Sequence, residues 1–261
     1  MTGLVTTCFA DLPSGATCAR LRLSAPRANA LEPGLLQALS DALDAAEKGR
    51  ADVILLTSAG RNFCSGGDVA RFAAEVTAGR GVAYAGEVVP RLQQIVLRLL
   101  SMPRIVGVAA KGAITGGGAG LLFAADLAVL SPDAFVQPFY TRVGFAPDGG
   151  WTAVLPERVG AGAAATWQLR NARVDAAAAR GMGLAAAVDE DPETRALALL
   201  SDTNIDAVKV SKRLIWDAMR LRAVEARLKA ETAAFRARIT QPDTVVGMAR
   251  FLARAGQRDH G

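Results

Sequence analysis

Residues 105–130 read IVGVAAKGAITGGGAGLLFAADLAVL. Ile105 to Ala109 is a short apolar run of the kind that forms a strand buried on both faces. A glycine cluster follows from Gly112 to Gly120, and a short helix-like segment, Ala119 to Ala125, opens inside it. Leu127 to Leu130 is a second strand. Strand, helix and strand packed this closely form the repeating unit of an α/β domain with mainly parallel pairing.

The same alternation extends towards the start of the chain. Ala19 to Ser24 alternates apolar and polar residues, as a half-buried strand does. Pro33 to Lys48 places Leu35, Leu36, Leu39, Ala42, Leu43 and Ala46 at helical spacing, with Gly49 as the stop. Asp52 to Thr57 is a buried-type strand, and Val88 to Leu100 a helix that Pro103 ends. From about Glu157 onward, Arg-studded, alanine-rich helical pattern takes over, with helices expected over Asp206–Arg222, Val224–Arg238 and Pro242–Arg254. The expected organisation is a core over 1–200 and a helical region over 201–261, which covers the core or packs on another subunit.

Composition narrows the chemistry. The chain has 261 residues, enough to bury a sizeable core without disulfides. Its three cysteines are an odd number without zinc-site spacing, which fits a reducing, intracellular setting. One histidine, His260, excludes a buried Ser-His-Asp triad and a histidine metal cage, so no metal site is expected. No targeting or spanning segment is legible, so the expected location is cytoplasmic, without membrane association. The net charge of +5 is modest and scattered, which suits an anionic small ligand better than nucleic acid.

Two glycine clusters are the candidate site. Asn62-Phe63-Cys64-Ser65-Gly66-Gly67-Asp68 follows the strand Asp52–Thr57, and the Gly112–Gly120 cluster follows the strand at Ile105. Open α/β sheets bind ligands beyond the C-terminal ends of their strands. Glycine lets a backbone N–H approach a ligand unobstructed. Two such groups on one oxygen form an oxyanion hole, each donor worth roughly 2.7–4 kcal/mol. Neither cluster has the spacing of a nucleotide-phosphate loop.

The order PRANAL (26–31), FCSGGDV (63–69), KGAITGGGAGLLFAADLAV (111–129), PDGG (147–150) and LPERVG (155–160) resembles the crotonase, or enoyl-CoA hydratase/isomerase, superfamily. The resemblance covers about residues 15–190. It implies a spiral of ββα units with a C-terminal α-helical trimerisation region, a homotrimer or hexamer, and acyl-CoA thioester substrates. Coenzyme A would enter as part of the substrate, with no separate cofactor. By motif position the oxyanion donors are the amides of Gly67 and Gly117. Arg27, Ala28 and Asp68 lie where relatives bind coenzyme A, although Asp68 also suits a turn-fixing role.

The sequence departs from the hydratase pattern at two points. Hydrating members carry one glutamate where this chain has Gly120, and a second that falls on Phe139 or Tyr140. Asp148 remains, at the position where resembling isomerases hold a proton-shuttling base, though Pro-Asp-Gly is also an ordinary turn. One carboxylate can move a proton between two carbons, so the expected activity is double-bond isomerisation. Tyr140 is a candidate pocket wall or hydrogen-bond donor. Cys64 as a nucleophile and Glu87 as another acid/base are weaker candidates. Gln93 stands where the dehalogenase type has a histidine. A hydratase, a hydrolase, and a non-catalytic CoA- or RNA-binding member are the alternatives.

Overall fold

The computed structural model describes residues 3–258, and side chains through Arg254. His260 lies outside the described residues. The strands are β1 (Val5–Asp11), β2 (Thr17–Leu23), β3 (Val53–Ser58), β4 (Ile105–Ala110), β5 (Ala113–Thr115), β6 (Leu127–Leu130), β7 (Phe135–Gln137), β8 (Val174–Asp175) and β9 (Ala187–Val188). A six-stranded sheet runs β1-β2-β3-β4-β6-β9, antiparallel only between β1 and β2. A smaller sheet runs β5-β7-β8.

The two sheets are built together, turn by turn. After β2, Leu31 bridges to Gly67 and the helix Pro33–Lys48 begins; after β3, Cys64 bridges to Ile114 and the helix Val69–Thr77 begins. After β4 comes β5, then the helix Ala119–Phe123; after β6 comes β7, then the helix Tyr140–Val143. Each turn thus lays a longer strand in one layer, a short extended piece in the other, and a helix. The expected ββα spiral is present. It delivers Gly67 and Gly117 from successive turns to neighbouring places at the end of the short pieces.

The core explains why β3 and β4 read as continuous apolar runs: every residue of both is buried. Ile54, Leu55 and Leu56 are fully covered. Each such side chain contributes about 1.5–3 kcal/mol. Against a net stability of roughly 5–15 kcal/mol, a single polar replacement in β3 is enough to threaten folding.

Three local expectations are corrected. Strand β1 lies outside every strand read from the sequence; it is an edge strand, mostly exposed, held by backbone pairing with β2 and not by apolar alternation. The helix expected from Val88 starts at Gly81 and passes through Pro90. Its added turns carry Gly81, Ala83, Ala85 and Gly86, small residues that make a weak apolar stripe. The helix expected over Asp206–Arg222 breaks at Trp216: the observed helices are Ile205–Ile215 and Ala218–Arg238. Trp216 leaves the helical conformation to bury its ring, and the Asp217 carboxylate caps the next helix by accepting the Arg220 N–H at 2.8 Å. Pro242–Arg258 is the last helix.

The C-terminal helices also complete the core. Ala218–Arg238 buries Val224, Leu228, Glu231 and Phe235, four positions on one helical face, and packs on Gly81–Ser101. Gln93 fastens the pair: its side-chain amide donates to the Leu228 carbonyl, and it accepts from Thr232 Oγ1 at 2.5 Å. No helix among the described residues is long and apolar enough to cross a membrane.

Candidate active site

The two glycine turns touch. Gly66 has φ +80° and Gly116 φ +51°, left-handed values that favour glycine. A Cβ on Gly66 would lie 2.7 Å from the Thr115 carbonyl oxygen, so the approach of the two loops also requires its absence.

Each turn is clamped through a carbonyl. Leu31 N–H donates to Gly66 O at 2.8 Å, and the Trp151 indole N–H donates to Gly116 O at 2.7 Å. In a trans peptide the C=O and N–H point in opposite directions. Holding the carbonyls of Gly66 and Gly116 therefore fixes the direction of the Gly67 and Gly117 amides. Gly117 belongs to a one-turn 3-10 helix, Gly116–Gly118, where the first N–H groups have no partner within the helix.

Asp148 sits against this second turn. A Cβ on Gly117 would fall 2.8 Å from Asp148 Oδ1, so only glycine leaves space for the carboxylate. Asp148 is 7% exposed, and the Tyr140 hydroxyl donates to its Oδ1 at 2.5 Å. Burial raises the Asp148 pKa to about 7; the Tyr140 bond opposes that rise and the nearby Glu231 carboxylate adds to it. Burial, and then the Asp148 charge, push the Tyr140 phenol well above its ordinary range, so it remains a donor.

Glu231 is the residue that the sequence reading missed. Its buried carboxylate accepts Gly150 N–H at 2.9 Å, Thr152 N–H at 2.7 Å, Thr152 Oγ1 at 2.7 Å and Ala153 N–H at 3.2 Å. It thereby pins the turn that carries Asp148 to the helix Ala218–Arg238. Neither carboxylate forms an ion pair with a lysine or arginine among the described residues. The available signal was weak: Glu231 falls on the apolar face that Val224, Leu228 and Phe235 define.

These groups line one cavity of about 250 Å³. Gly67, Gly117, Tyr140 and Asp148 face it, with Phe72, Phe135, Phe139, Phe145, Phe235 and Phe251 among the walls. Phe139 adopts a left-handed conformation, φ +63°, rare for a bulky residue. Asn171 holds it there, its Oδ1 accepting the Phe139 N–H at 2.7 Å. The two positions where the sequence departs from the hydratase pattern are accounted for separately. Phe139 is wall and Tyr140 is bonded to Asp148. At Gly120 a Cβ would lie 2.0 Å from the Gly149 carbonyl oxygen, so the backbone of the Asp148 turn fills the space a side chain would need.

The remaining candidates divide. Arg27 and Ala28, with φ +52° and +56°, are joined to the first glycine turn by Ser65 N–H to Ala28 O at 3.0 Å and Ser65 Oγ to Arg27 O at 2.9 Å, but neither lines the Asp148 cavity, and Arg27 lines a separate charged groove. The Arg27 guanidinium is shared between Glu32 at 2.6 Å and Asp68 at 2.8 Å. Asp68 caps the helix Val69–Thr77 by accepting the Arg71 N–H at 2.9 Å, the turn-fixing role considered for it. Cys64 is buried, donates its S–H to Asn29 O at 3.1 Å, and burial raises its thiol to about 12, which rules out a ready thiolate. Glu87 is apart from Asp148: it pairs loosely with Arg91 and lines a separate charged groove. Gln93 is a helix fastener and does not line the cavity. No group of three His, Cys, Asp or Glu among the described residues is placed to hold a metal ion.

The sequence profile described as "Enoyl-CoA hydratase/isomerase" matches residues 14–258. A "Probable enoyl-CoA hydratase" of Rhodobacter capsulatus is 35% identical over 156 residues, 60% of this chain and 58% of that protein. A "Probable enoyl-CoA hydratase EchA14" of Mycobacterium tuberculosis is 33% identical over 180 residues, 66% of each. The matched region thus spans less than two thirds of the length of either relative. The crystal structure of an enoyl-CoA hydratase from Bacillus halodurans superposes with a TM-score of 0.84, covering 95% of this chain and 100% of that one at 20% identity, a likeness of fold.

Proposed function

The chain belongs to the enoyl-CoA hydratase/isomerase family, and from its site we propose a double-bond isomerase of acyl-CoA thioesters with Asp148 as the base. One observation carries the proposal. Asp148 is the one carboxylate among the residues that line the cavity with Gly67 and Gly117, and the space for a second beside it, at Gly120, is taken by backbone.

The thioester oxygen lies between the Gly67 and Gly117 amides. Tyr140 engages Oδ1 of Asp148, leaving Oδ2 to take a proton from C2 of a 3-enoyl thioester. The C–H electron pair moves into the conjugated system and charge develops on the thioester oxygen, where the amides stabilise it. Asp148, now protonated, returns the proton to C4. The C3–C4 double bond becomes C2–C3, and the carboxylate is regenerated. No water is consumed, which suits an apolar cavity with a single base. A pKa of about 7 gives a base whose proton affinity is matched to neutral conditions. The coenzyme A arm leaves past Ala28, where its phosphates would compete with Glu32 and Asp68 for the exposed Arg27 guanidinium. The helical region is the candidate trimer contact.

The test is turnover of 3-enoyl-CoA substrates, monitored as 2-enoyl-CoA formation, beside hydration of 2-enoyl-CoA by the same preparation. Isomerisation without matching hydration, abolished in Asp148→Asn, is the expected result. Undiminished isomerisation in that variant overturns the base assignment.

A further inference from the structure

The chain concentrates its aromatic residues around the reacting group. Six of its nine phenylalanines line the Asp148 cavity: Phe72, Phe135, Phe139, Phe145, Phe235 and Phe251. Five of them form two groups. Phe72, Phe145 and Phe235 contact one another with ring centroids 4.9–5.6 Å apart, and Phe139 meets Phe251 edge-on at 5.7 Å. Among the residues lining the cavity only Asp148 and Tyr140 carry an ionisable side chain. A carboxylate on the acyl group would be buried there without a counter-charge and beside Asp148, which is strongly unfavourable.

Volume sets the size. The cavity holds about 250 Å³. A dry cavity of about 150 Å³ is enough for a benzene-sized ring. The remaining 100 Å³ or so takes the thioester group and its link to the pantetheine arm. A ring enters with few rotors to freeze, whereas a linear chain of equal carbon number loses rotamer freedom on being folded into the same space. Phenylalanine edges and faces also meet a ring well.

We propose that the acyl group accepted by this site is an uncharged, compact hydrocarbon of about six to eight carbons, cyclic in preference to linear. The inference rests on the thioester occupying the cavity as set out above, but not on which reaction Asp148 performs.

Binding of saturated thioesters separates the two questions, since these cannot undergo a double-bond shift. Calorimetry would compare free coenzyme A with the butanoyl, succinyl, heptanoyl, cyclohexanecarbonyl, octanoyl and dodecanoyl thioesters. Each buried methylene is worth roughly a factor of four in affinity. Cyclohexanecarbonyl-CoA should bind at least about tenfold tighter than butanoyl-CoA and tighter than heptanoyl-CoA. Succinyl-CoA should bind at least about tenfold more weakly than butanoyl-CoA. Dodecanoyl-CoA should gain nothing over octanoyl-CoA. Phe251→Ala should lose affinity for cyclohexanecarbonyl-CoA while leaving that for free coenzyme A unchanged. Succinyl-CoA matching butanoyl-CoA, continued gain from octanoyl to dodecanoyl, heptanoyl outranking the ring, or equal binding of all ligands would each overturn the proposal. If the ranking holds while 3-enoyl-CoA is not isomerised, the acyl assignment stands and the isomerase reading falls.

Discussion

Two buried acidic sites in this molecule are built in opposite ways. Asp126 sits beneath the sheet with Lys212, whose three N–H groups reach Asp126 Oδ2 at 2.7 Å, the Leu99 carbonyl at 2.7 Å and the Arg104 carbonyl at 2.9 Å. Burial raises the acid and lowers the amine, and their contact pulls both back towards charge. Asp148 has no cation beside it: it has a phenol, a cavity, and a second carboxylate, Glu231, satisfied by N–H and O–H donors alone. The first arrangement ties two elements together. The second leaves a carboxylate free to gain and lose a proton near neutral pH.

Replacing the proposed base, Asp148, gives the largest expected effect. Asp148→Asn should lower kcat about 10²–10⁴-fold, the usual contribution of a positioned base. The same change should stabilise the fold, more at pH 8 than at pH 5. The folded-state pKa, about 7, lies above the ordinary 3.8. The contribution of Asp148 to stability is therefore greatest below pH 3.8 and is lost as pH rises to 7. Asparagine avoids that loss, and the difference between the two pH values should be about 2.6 kcal/mol, read from denaturant melts. A stability gain independent of pH would show that Asp148 is not the group responsible.

Lys212→Met tests the other site. It leaves the largely buried Asp126 carboxylate with the Val106 N–H and the charge of Arg158, and should cost up to about 3–5 kcal/mol in unfolding free energy. The pH profile of turnover should stay where it was; movement of that profile would mean the two sites are coupled.

Gly120→Ala probes why a second carboxylate is missing. The new methyl group meets the Gly149 backbone, so the Asp148 turn must shift. Overpacking of this kind costs about 1–3 kcal/mol, with a fall in turnover and no gain of hydration. Restored hydration in Gly120→Glu would refute the steric account.

The smallest effects form an opposed pair. Glu231→Gln removes a negative neighbour and should move the rising limb of the kcat/KM profile to lower pH, by up to about one unit. Tyr140→Phe removes a donor that favours the charged form and should move it to higher pH. Shifts in the same direction would separate the profile from Asp148. Neither variant should alter the Asp126–Lys212 region.

The sequence was informative where function depends on local pattern. Gly66-Gly67 and Gly116-Gly117 announce close backbone approach, and the flanking apolar runs announce buried parallel strands, while the spiral came from the family resemblance. Tyr140 and Asp148 stand eight positions apart and could be named separately, but their shared hydrogen bond depends on how the intervening turn folds. Glu231 and Trp151 were silent for a different reason. One meets its partners about eighty residues away; the other acts on Gly116 through a ring that reads as ordinary core. Glu87 was a weak candidate because its segment lines the acyl pocket in relatives, and position along a helix does not tell which of two neighbouring grooves a side chain faces.

The tether at Glu231 has a consequence for biogenesis. The Gly67 and Gly117 amides and Asp148 emerge from the ribosome well before the residue that pins the Asp148 turn, and Phe251, part of the cavity wall, follows later still. A nascent chain stopped short of residue 231 would hold Gly67, Gly117, Tyr140 and Asp148 and still lack the finished chamber. The proposed thioester chemistry would thus await the final helices.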